Sequence, residues 1–505
     1  MPIVCGRVIE LSGTGLTPAD VVAVARDRAP VRLGPQAREA MQRSADVVAG
    51  LADADEPAYG VSTGFGSLAN VAIPVERREE LQRALIRSHA AGMGPPVEPE
   101  VVRAMMLLRA RTLAMGYSGA RPEVAEGLLA LLDAGITPRV PEFGSLGASG
   151  DLAPLAHCAL VLIGEGEVIE GDASAVTPLT LGPKEGLALI NGTDGMLGML
   201  VLACHDLAQL LRVADITAAM SVEALLGTDR AFAADLVALR PQSGQAASAA
   251  NLRKVLAGSP IVASHRYGDD RVQDAYSLRC APQVTGAARD TLAHAEQVAL
   301  AELASAIDNP MVLPDGRVES CGNFHGAPLG FVLDFLAVAV AEVGGIAERR
   351  TDRLLDTARS HGLPPFLTEQ AGVNSGFMIA QYTQASLVSE NRRLAAPAST
   401  GSLPTSAMQE DHVSMGWSAA RKLRLALRNL ARILAVELTC AAHGLDLRAP
   451  LLPGPGGAAA LGAVRARIDG PGADRRLAPD LAAAEELVAA GTVQTAVEAA
   501  VGELA

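Results

Sequence analysis

The run Gly147-Ala148-Ser149-Gly150-Asp151-Leu152 holds the residue types that a backbone cyclisation needs. Such a closure requires an amide nitrogen to attack a carbonyl two residues earlier, a geometry that side chains normally block. Gly150 offers a nitrogen beside a carbon without Cβ, and a backbone free to enter a tight turn. Ala148 offers a carbonyl next to a small side chain. Ser149, between them, can lose its hydroxyl as water to leave an exocyclic methylidene. The product is 4-methylidene-imidazol-5-one, an electrophile built from the chain with no external cofactor. The same residues also suit a small-residue loop ahead of a helix, with Asp151 as its N-cap. Composition alone leaves both readings open.

Other chemistries find no support in the spacing. Gly60, Gly64 and Gly66 do not complete GxGxxG after a strand, and no GxxxxGK[ST] is present, so neither phosphate-cradling loop is expected. The nine histidines show no HExxH or paired ligand spacing, so no metal site is expected. Around Ser149 the serine-hydrolase elbow GxSxG fails, because Asp151 stands where its last glycine belongs.

The elements that must position these residues are helical. Aromatics are only 3% of the 505 residues, so the core is aliphatic, and abundant alanine and leucine favour helix. Arg38 to Leu51, Val75 to Gly92 and Val101 to Ala114 read as amphipathic helices, and Leu329 to Leu355 as one long helix. After Arg421, Leu423, Leu427, Leu430, Leu434 and Leu438 form an apolar stripe, with Arg424, Arg428 and Arg432 on a basic face. Strand evidence is confined to weak alternation over Val168 to Leu181. Pro450 to Gly462 resembles a linker or surface loop, with a final helix near Leu481 to Val501. The expected division is an N-terminal domain over 1–200 carrying the Ala148–Gly150 loop, and a helical bundle domain over 201–505 with a C-terminal extension.

A net charge of −14 argues against a phosphate-backbone partner, which requires a concentrated basic face. Six scattered cysteines without a CxxC pair read as reduced thiols. The N-terminus lacks a basic segment followed by an apolar run, and the long apolar stretches are interrupted by Asp334, Glu342 and polar residues. A cytoplasmic protein without signal or membrane span is the expectation.

The segment GSLGASGDLAPLAH closely resembles the signature of the aromatic amino acid ammonia-lyases, the histidine/phenylalanine/tyrosine family that carries the methylidene-imidazolone. YGVSTGFG, LIRSHAAG, LALINGTDG, VQDAYSLRCAPQV, DNPM, GNFHG, SGFMIAQ and SAMQEDHVSMG resemble family motifs in family order, from Tyr59 to about Trp417. Glu410 in MQEDH, with SHAAG and GFMIAQ, is similar to the histidine branch. Ser62 stands where many relatives carry Asn, and PASTGS replaces the more frequent PASVDS; neither is a position to which the resemblance gives a catalytic role.

The resemblance implies a mainly α fold with a long central helical bundle of the fumarase/aspartase-like type, and a homotetramer whose active sites draw on several subunits. It implies non-oxidative loss of ammonia from L-histidine to give trans-urocanate. The alternative is a phenylalanine or tyrosine ammonia-lyase or aminomutase with the same group, against which His89, Met378 and Glu410 argue. A catalytically silent helical scaffold is opposed by the intact Ala148-Ser149-Gly150, Tyr59, Tyr276 and Arg279. An electrophile on the amine makes it a better leaving group, and a base then takes the β-proton. Tyr276 resembles that base, with a half-buried hydroxyl as its bland reading, and Tyr59 resembles part of a mobile lid. Gln273, Tyr276 and Arg279, at intervals of three, would share one face of a helix that ends near Pro282. Arg279 suits the substrate carboxylate, a surface ion pair being its bland reading. Asn191 is expected to donate hydrogen bonds to the imidazolone oxygen, and Gln273 to assist at the carboxylate. Phe324 is expected to pack on the substrate ring, and His89 and Glu410 to recognise the imidazole; the alternative for Glu410 is a cap on the helix that follows.

Overall fold

The computed structural model describes residues 8–52, 60, 62–64, 66–68, 71–269 and 271–505. Helices dominate, as alanine and leucine content dictates, and among the described residues strands occur only as two-stranded pieces. The chain separates into two compact units. The first holds 1–202, 296–334 and 397–421; the second holds 203–295, 335–396 and 422–505. In place of a single division after residue 200, two later segments belong with the N-terminal part.

Buried arginines tie the first of those segments, 296–334, to the N-terminal part. The helix Pro99–Ala114 is buried along its whole length from Val101, so the expected polar face is absent. Arg103, Arg109 and Arg111 lie inside, met by carbonyls and, for Arg109, also by the Asp194 carboxylate at 3.3 Å, as a buried charge requires. Arg109 donates to Asn191 O at 2.8 Å and Ile307 O at 2.9 Å. Arg111 donates to Glu302 O at 3.3 Å. Two positions of one early helix, Arg109 and Arg111, therefore hold backbone from residues near 190 and 300.

Local pairing sets up the approach to Ala148. The helix Arg78–His89 runs into the strand Met93–Pro96, which pairs antiparallel with Pro141–Phe143, directly before the Gly144–Asp151 loop. Of the expected ribbon over Val168 to Leu181, only Val168–Glu170 forms, against Thr137–Pro138.

The leucine stripe lies in the helix Gly416–Asp446, and all five leucines are buried. Burying each leucine contributes about 1.5–3 kcal/mol before chain-entropy costs. The expected basic face is not uniform: Arg424 is buried and pairs with Asp206 at 3.0 Å, whereas Arg428 is exposed. Further along, Glu437 is buried and receives Arg350, Thr217 Oγ1 at 2.8 Å and Ser221 Oγ at 3.0 Å. Ala327–Leu355 forms the expected long helix. By length and composition, this helix and the stretch Glu185–Ala224 are apolar enough to cross a membrane, despite Asp334 and Glu342. The most apolar window is fully buried inside the protein in Glu185–Ala224 and 56% buried in Ala327–Leu355, so packing accounts for much of that hydropathy.

Two C-terminal expectations change. Pro455 starts the helix Pro455–Arg465 inside the expected linker, since proline suits a first helical turn. The expected final helix is two, Leu477–Ala489 and Thr492–Val501, broken at Gly491 with φ +67°. Cys158, Cys204, Cys280, Cys321 and Cys440 are free thiols; Cys5 lies outside the described residues.

Candidate active site

Within the first unit, the Ala148–Gly150 turn is held from every direction. Gly150 has φ +73°, and a Cβ there would sit 2.1 Å from Gly192 O, so only glycine fits. Asp151 N donates to that same Gly192 O at 2.7 Å. Ser414 Oγ donates to Gly147 O at 2.9 Å, and Met415 N donates to Leu146 O at 2.8 Å. Ser149 Oγ donates to Asn191 Oδ1 at 2.5 Å. Among the described residues, neither the Gly150 amide nor the Ala148 carbonyl takes part in a hydrogen bond. Those are the atoms that cyclisation must join, and the residues present therefore fit the methylidene-imidazolone.

Asp151 precedes the helix Leu152–Leu162 but makes no side-chain cap. Its carboxyl accepts instead from Ser145 Oγ at 2.8 Å and from Met196 N at 2.9 Å. Burial pushes its pKa up to about 7, against the opposing effect of those hydrogen bonds.

Asn191 differs from expectation in polarity. Its Nδ2 donates to Asp308 Oδ1 at 3.2 Å and Asn309 O at 2.9 Å, so its oxygen, an acceptor, faces Ser149. The expected donor is committed elsewhere.

His89 ends the helix Arg78–His89, and its Nδ1 lies 2.9 Å from Leu85 O. A carbonyl only accepts, so the proton belongs on Nδ1 and Nε2 keeps its lone pair. Burial lowers the His89 pKa, opposed by the Leu85 hydrogen bond and the charge of Glu410. The turn after His89 is tied to the helix following the triad, since Gly92 N donates to His157 Nε2 at 3.1 Å.

Among the described residues, Glu410 caps no helix. It bridges Thr405 through backbone bonds of 2.9 and 3.2 Å and accepts Thr405 Oγ1 on Oε2 at 2.8 Å. Ser406, Ala407 and Met408, between them, have φ of +50°, +51° and +70°. Three consecutive left-handed residues with side chains cost about 1–2 kcal/mol each. Phe324 lies in the turn before Ala327–Leu355, and its neighbour His325 stacks on His412 with centroids 5.8 Å apart and planes within 2°. The GNFHG and MQEDH segments are thus joined.

Four expected residues lie in the second unit. Tyr276 and Arg279 occupy a helix of four residues, Tyr276–Arg279, with the guanidinium 4.6 Å from the ring centroid. Gln273 precedes that helix and is exposed, so the three do not share a helical face. Pro282 lies in the first turn of Ala281–Leu303, starting a helix where an end was expected. Tyr276 is 72% exposed, more than the half-buried alternative, and among the described residues none forms an ion pair with Arg279. Met378 begins the helix Met378–Leu394. Tyr59 lies outside the described residues.

Asp151, His157, Lys184, Arg109 and Asp308 are parts of this arrangement that sequence reasoning did not assign. Asp308 opens the DNPM motif, and Asp151 and His157 stand in GSLGASGDLAPLAH, which were the available signals. Among the described residues, no group of three or more His, Cys, Asp or Glu gathers as a metal site.

The residue pattern of the aromatic amino acid lyases matches residues 16–466, and the chain belongs to that family. A histidine ammonia-lyase of Streptomyces avermitilis is 60% identical over 511 residues, covering 99% of this chain and 100% of that one. Among solved structures, a tyrosine aminomutase from Streptomyces globisporus superposes with a TM-score of 0.93 at 37% identity, covering 99% of this chain and 100% of that one. A histidine ammonia-lyase from Trypanosoma cruzi gives a TM-score of 0.89 at 38% identity, covering 98% and 96%.

Proposed function

We propose that this protein deaminates L-histidine non-oxidatively to trans-urocanate and ammonia, on a methylidene-imidazolone built from Ala148, Ser149 and Gly150. The observation that carries the chemistry is the Ala148–Gly150 turn, where glycine is sterically required and the groups to be joined have no hydrogen-bond partner among the described residues. The choice of histidine is supported by the 60% identical relative from Streptomyces avermitilis and by Glu410 and His89. Fold alone does not select it, because a tyrosine aminomutase superposes as well as a histidine ammonia-lyase does.

When formed, the methylidene-imidazolone supplies an electrophile that makes the amine a better leaving group. Arg279 binds the substrate carboxylate through its planar fork, and Gln273 assists there. Tyr276 Oη takes the β-proton, with the Arg279 guanidinium 4.6 Å from its ring centroid. His89 Nε2 offers a lone pair to an imidazole N–H, and Glu410 a carboxylate. Phe324 and Met378 bound the ring, and Tyr59 assists proton transfer.

A homotetramer with shared active sites in the cytoplasm is part of the same proposal. Phe331, Phe335 and Val338, spaced by four and three on Ala327–Leu355, are 63%, 52% and 47% exposed, a face suited to a second copy of this chain. Sedimentation of purified protein tests the assembly. A spectrophotometric screen of histidine, phenylalanine and tyrosine, without added nicotinamide, pyridoxal phosphate or metal, tests the reaction. Urocanate formation is expected; turnover of phenylalanine or tyrosine with histidine inert overturns the substrate.

A further inference from the structure

Lys184 and Asp308 are both fully buried and meet at 2.9 Å. Lys184 Nζ also donates to Ser118 O at 2.9 Å, from a left-handed backbone with φ +65° at the start of the helix Glu185–Ile190. The other carboxylate oxygen, Asp308 Oδ1, accepts from Asn309 N at 2.7 Å and from Asn191 Nδ2 at 3.2 Å. Asn191 Nδ2 gives its second hydrogen to Asn309 O at 2.9 Å. Both hydrogens therefore go to groups that only accept, a carboxylate and a carbonyl. Reversing the carboxamide would set Asn191 Oδ1 against both acceptors, so Oδ1 must face Ser149, whose hydroxyl it receives at 2.5 Å.

We propose that Asp308, paired with Lys184, is a positioning residue for maturation of the Ala148–Gly150 turn: it decides which end of Asn191 meets Ser149. This rests on the reading that Ser149 becomes the methylidene carbon. In that conversion Gly150 N bonds to the Ala148 carbonyl carbon. The Ala148 oxygen leaves as water with the hydrogens of Gly150 N and Ser149 N. Ser149 Oγ leaves as a second water, with its own hydrogen and the Ser149 α-hydrogen. An Oγ whose hydrogen is held by Asn191 Oδ1 keeps its lone pairs open to the proton it must take up to leave as water. A reversed carboxamide would instead point Nδ2 at those lone pairs and occupy them. The charge on Asp308 matters because a neutral carboxyl or carboxamide there can donate, and a donor tolerates the reversed Asn191. Lys184 supplies the counter-charge that a buried carboxylate needs.

The test is a time course of intact mass during cell-free synthesis of the full chain, run for the parent, Asp308→Asn and Lys184→Met, with thermal melting of each purified product. The parent is expected to lose two waters. Each variant is expected to melt as a folded protein while losing them at least about tenfold more slowly, equivalent to about 1.4 kcal/mol on the barrier. If the parent retains both waters, the reading of Ser149 fails whatever the variants do. If the parent loses them and a folded variant keeps pace within about twofold, the positioning role alone is overturned. If both variants fail to fold, the pair serves stability and the proposal is likewise overturned.

Discussion

The Ala148–Gly150 turn and the Tyr276–Arg279 turn are both short, irregular and expected to do chemistry, yet they are held in opposite ways. Ala148 and Gly150 are buried, and contacts from Asn191, Gly192, Ser414 and Met415 fix the loop around them. Tyr276 stands 72% exposed on four helical residues, steadied by the Arg279 guanidinium. A chain that must react with itself has to be pre-formed to a fraction of an ångström, because no substrate binding energy is available to organise it. Groups that handle an incoming substrate can remain open until it arrives.

Substitutions can break that contrast. The largest effect is expected from Ser149→Ala, which removes the hydroxyl to be lost: activity should fall by orders of magnitude with the helical circular dichroism signal retained. Cyanide or borohydride should inactivate only the parent. Near-normal turnover in this variant would remove Ser149 as the precursor. Gly150→Ala should act on the same step through structure, since its Cβ would meet Gly192 O at 2.1 Å and φ +73° disfavours any side chain. Loss of the two-water mass deficit, together with a lower melting temperature, is the expected outcome.

On the exposed side, Tyr276→Phe should lower kcat by about a hundred- to ten-thousandfold, the usual worth of a positioned base. A change in KM alone would make Tyr276 a binding residue. Glu410→Gln should lower kcat/KM for histidine by about ten- to a hundredfold, matching about 1.5–3 kcal/mol for a charged hydrogen bond. A lowered melting temperature with histidine turnover within about twofold of the parent would leave Glu410 only its bridge to Thr405.

The smallest effect concerns pH. Asp151 has its pKa raised from 3.8 to about 7, so across that interval the folded state binds more protons than the unfolded. Its contribution to stability is full below about pH 4 and is lost as pH rises toward 7. Comparing urea midpoints of the parent and Asp151→Asn from pH 4 to 8 checks the sign: the parent should lose more stability over that range. An identical slope would mean that Asp151 does not titrate there.

The sequence carried the helices well where one side chain type repeats at helical spacing, as in Leu423 to Leu438. It failed where three residues at intervals of three suggested a helix around Gln273, because the periodicity was too short to outweigh local breaks. The Ala148–Gly150 chemistry was legible because glycine, a small residue and serine must be adjacent in sequence. The polarity of Asn191 was not, since Asp308, which sets it, lies 117 residues away and fixes it only through folding. Arg109 and Arg111 were hidden for a similar reason: on paper they mark a polar helix face, and only the folded chain supplies the carbonyls that allow them inside.

The interleaving of the first unit also has a consequence in time. Gly150 leaves the ribosome long before Asp308, Ser414 and Met415 exist. At about 5–20 residues per second, synthesis from Gly150 to Met415 takes roughly a quarter of a minute to a minute. Throughout that interval the nascent turn lacks the hydrogen bonds to Gly147 O and Leu146 O that complete it. Maturation therefore has a clock set by translation, and chains stalled before residue 414 should carry Ala148-Ser149-Gly150 as ordinary peptide.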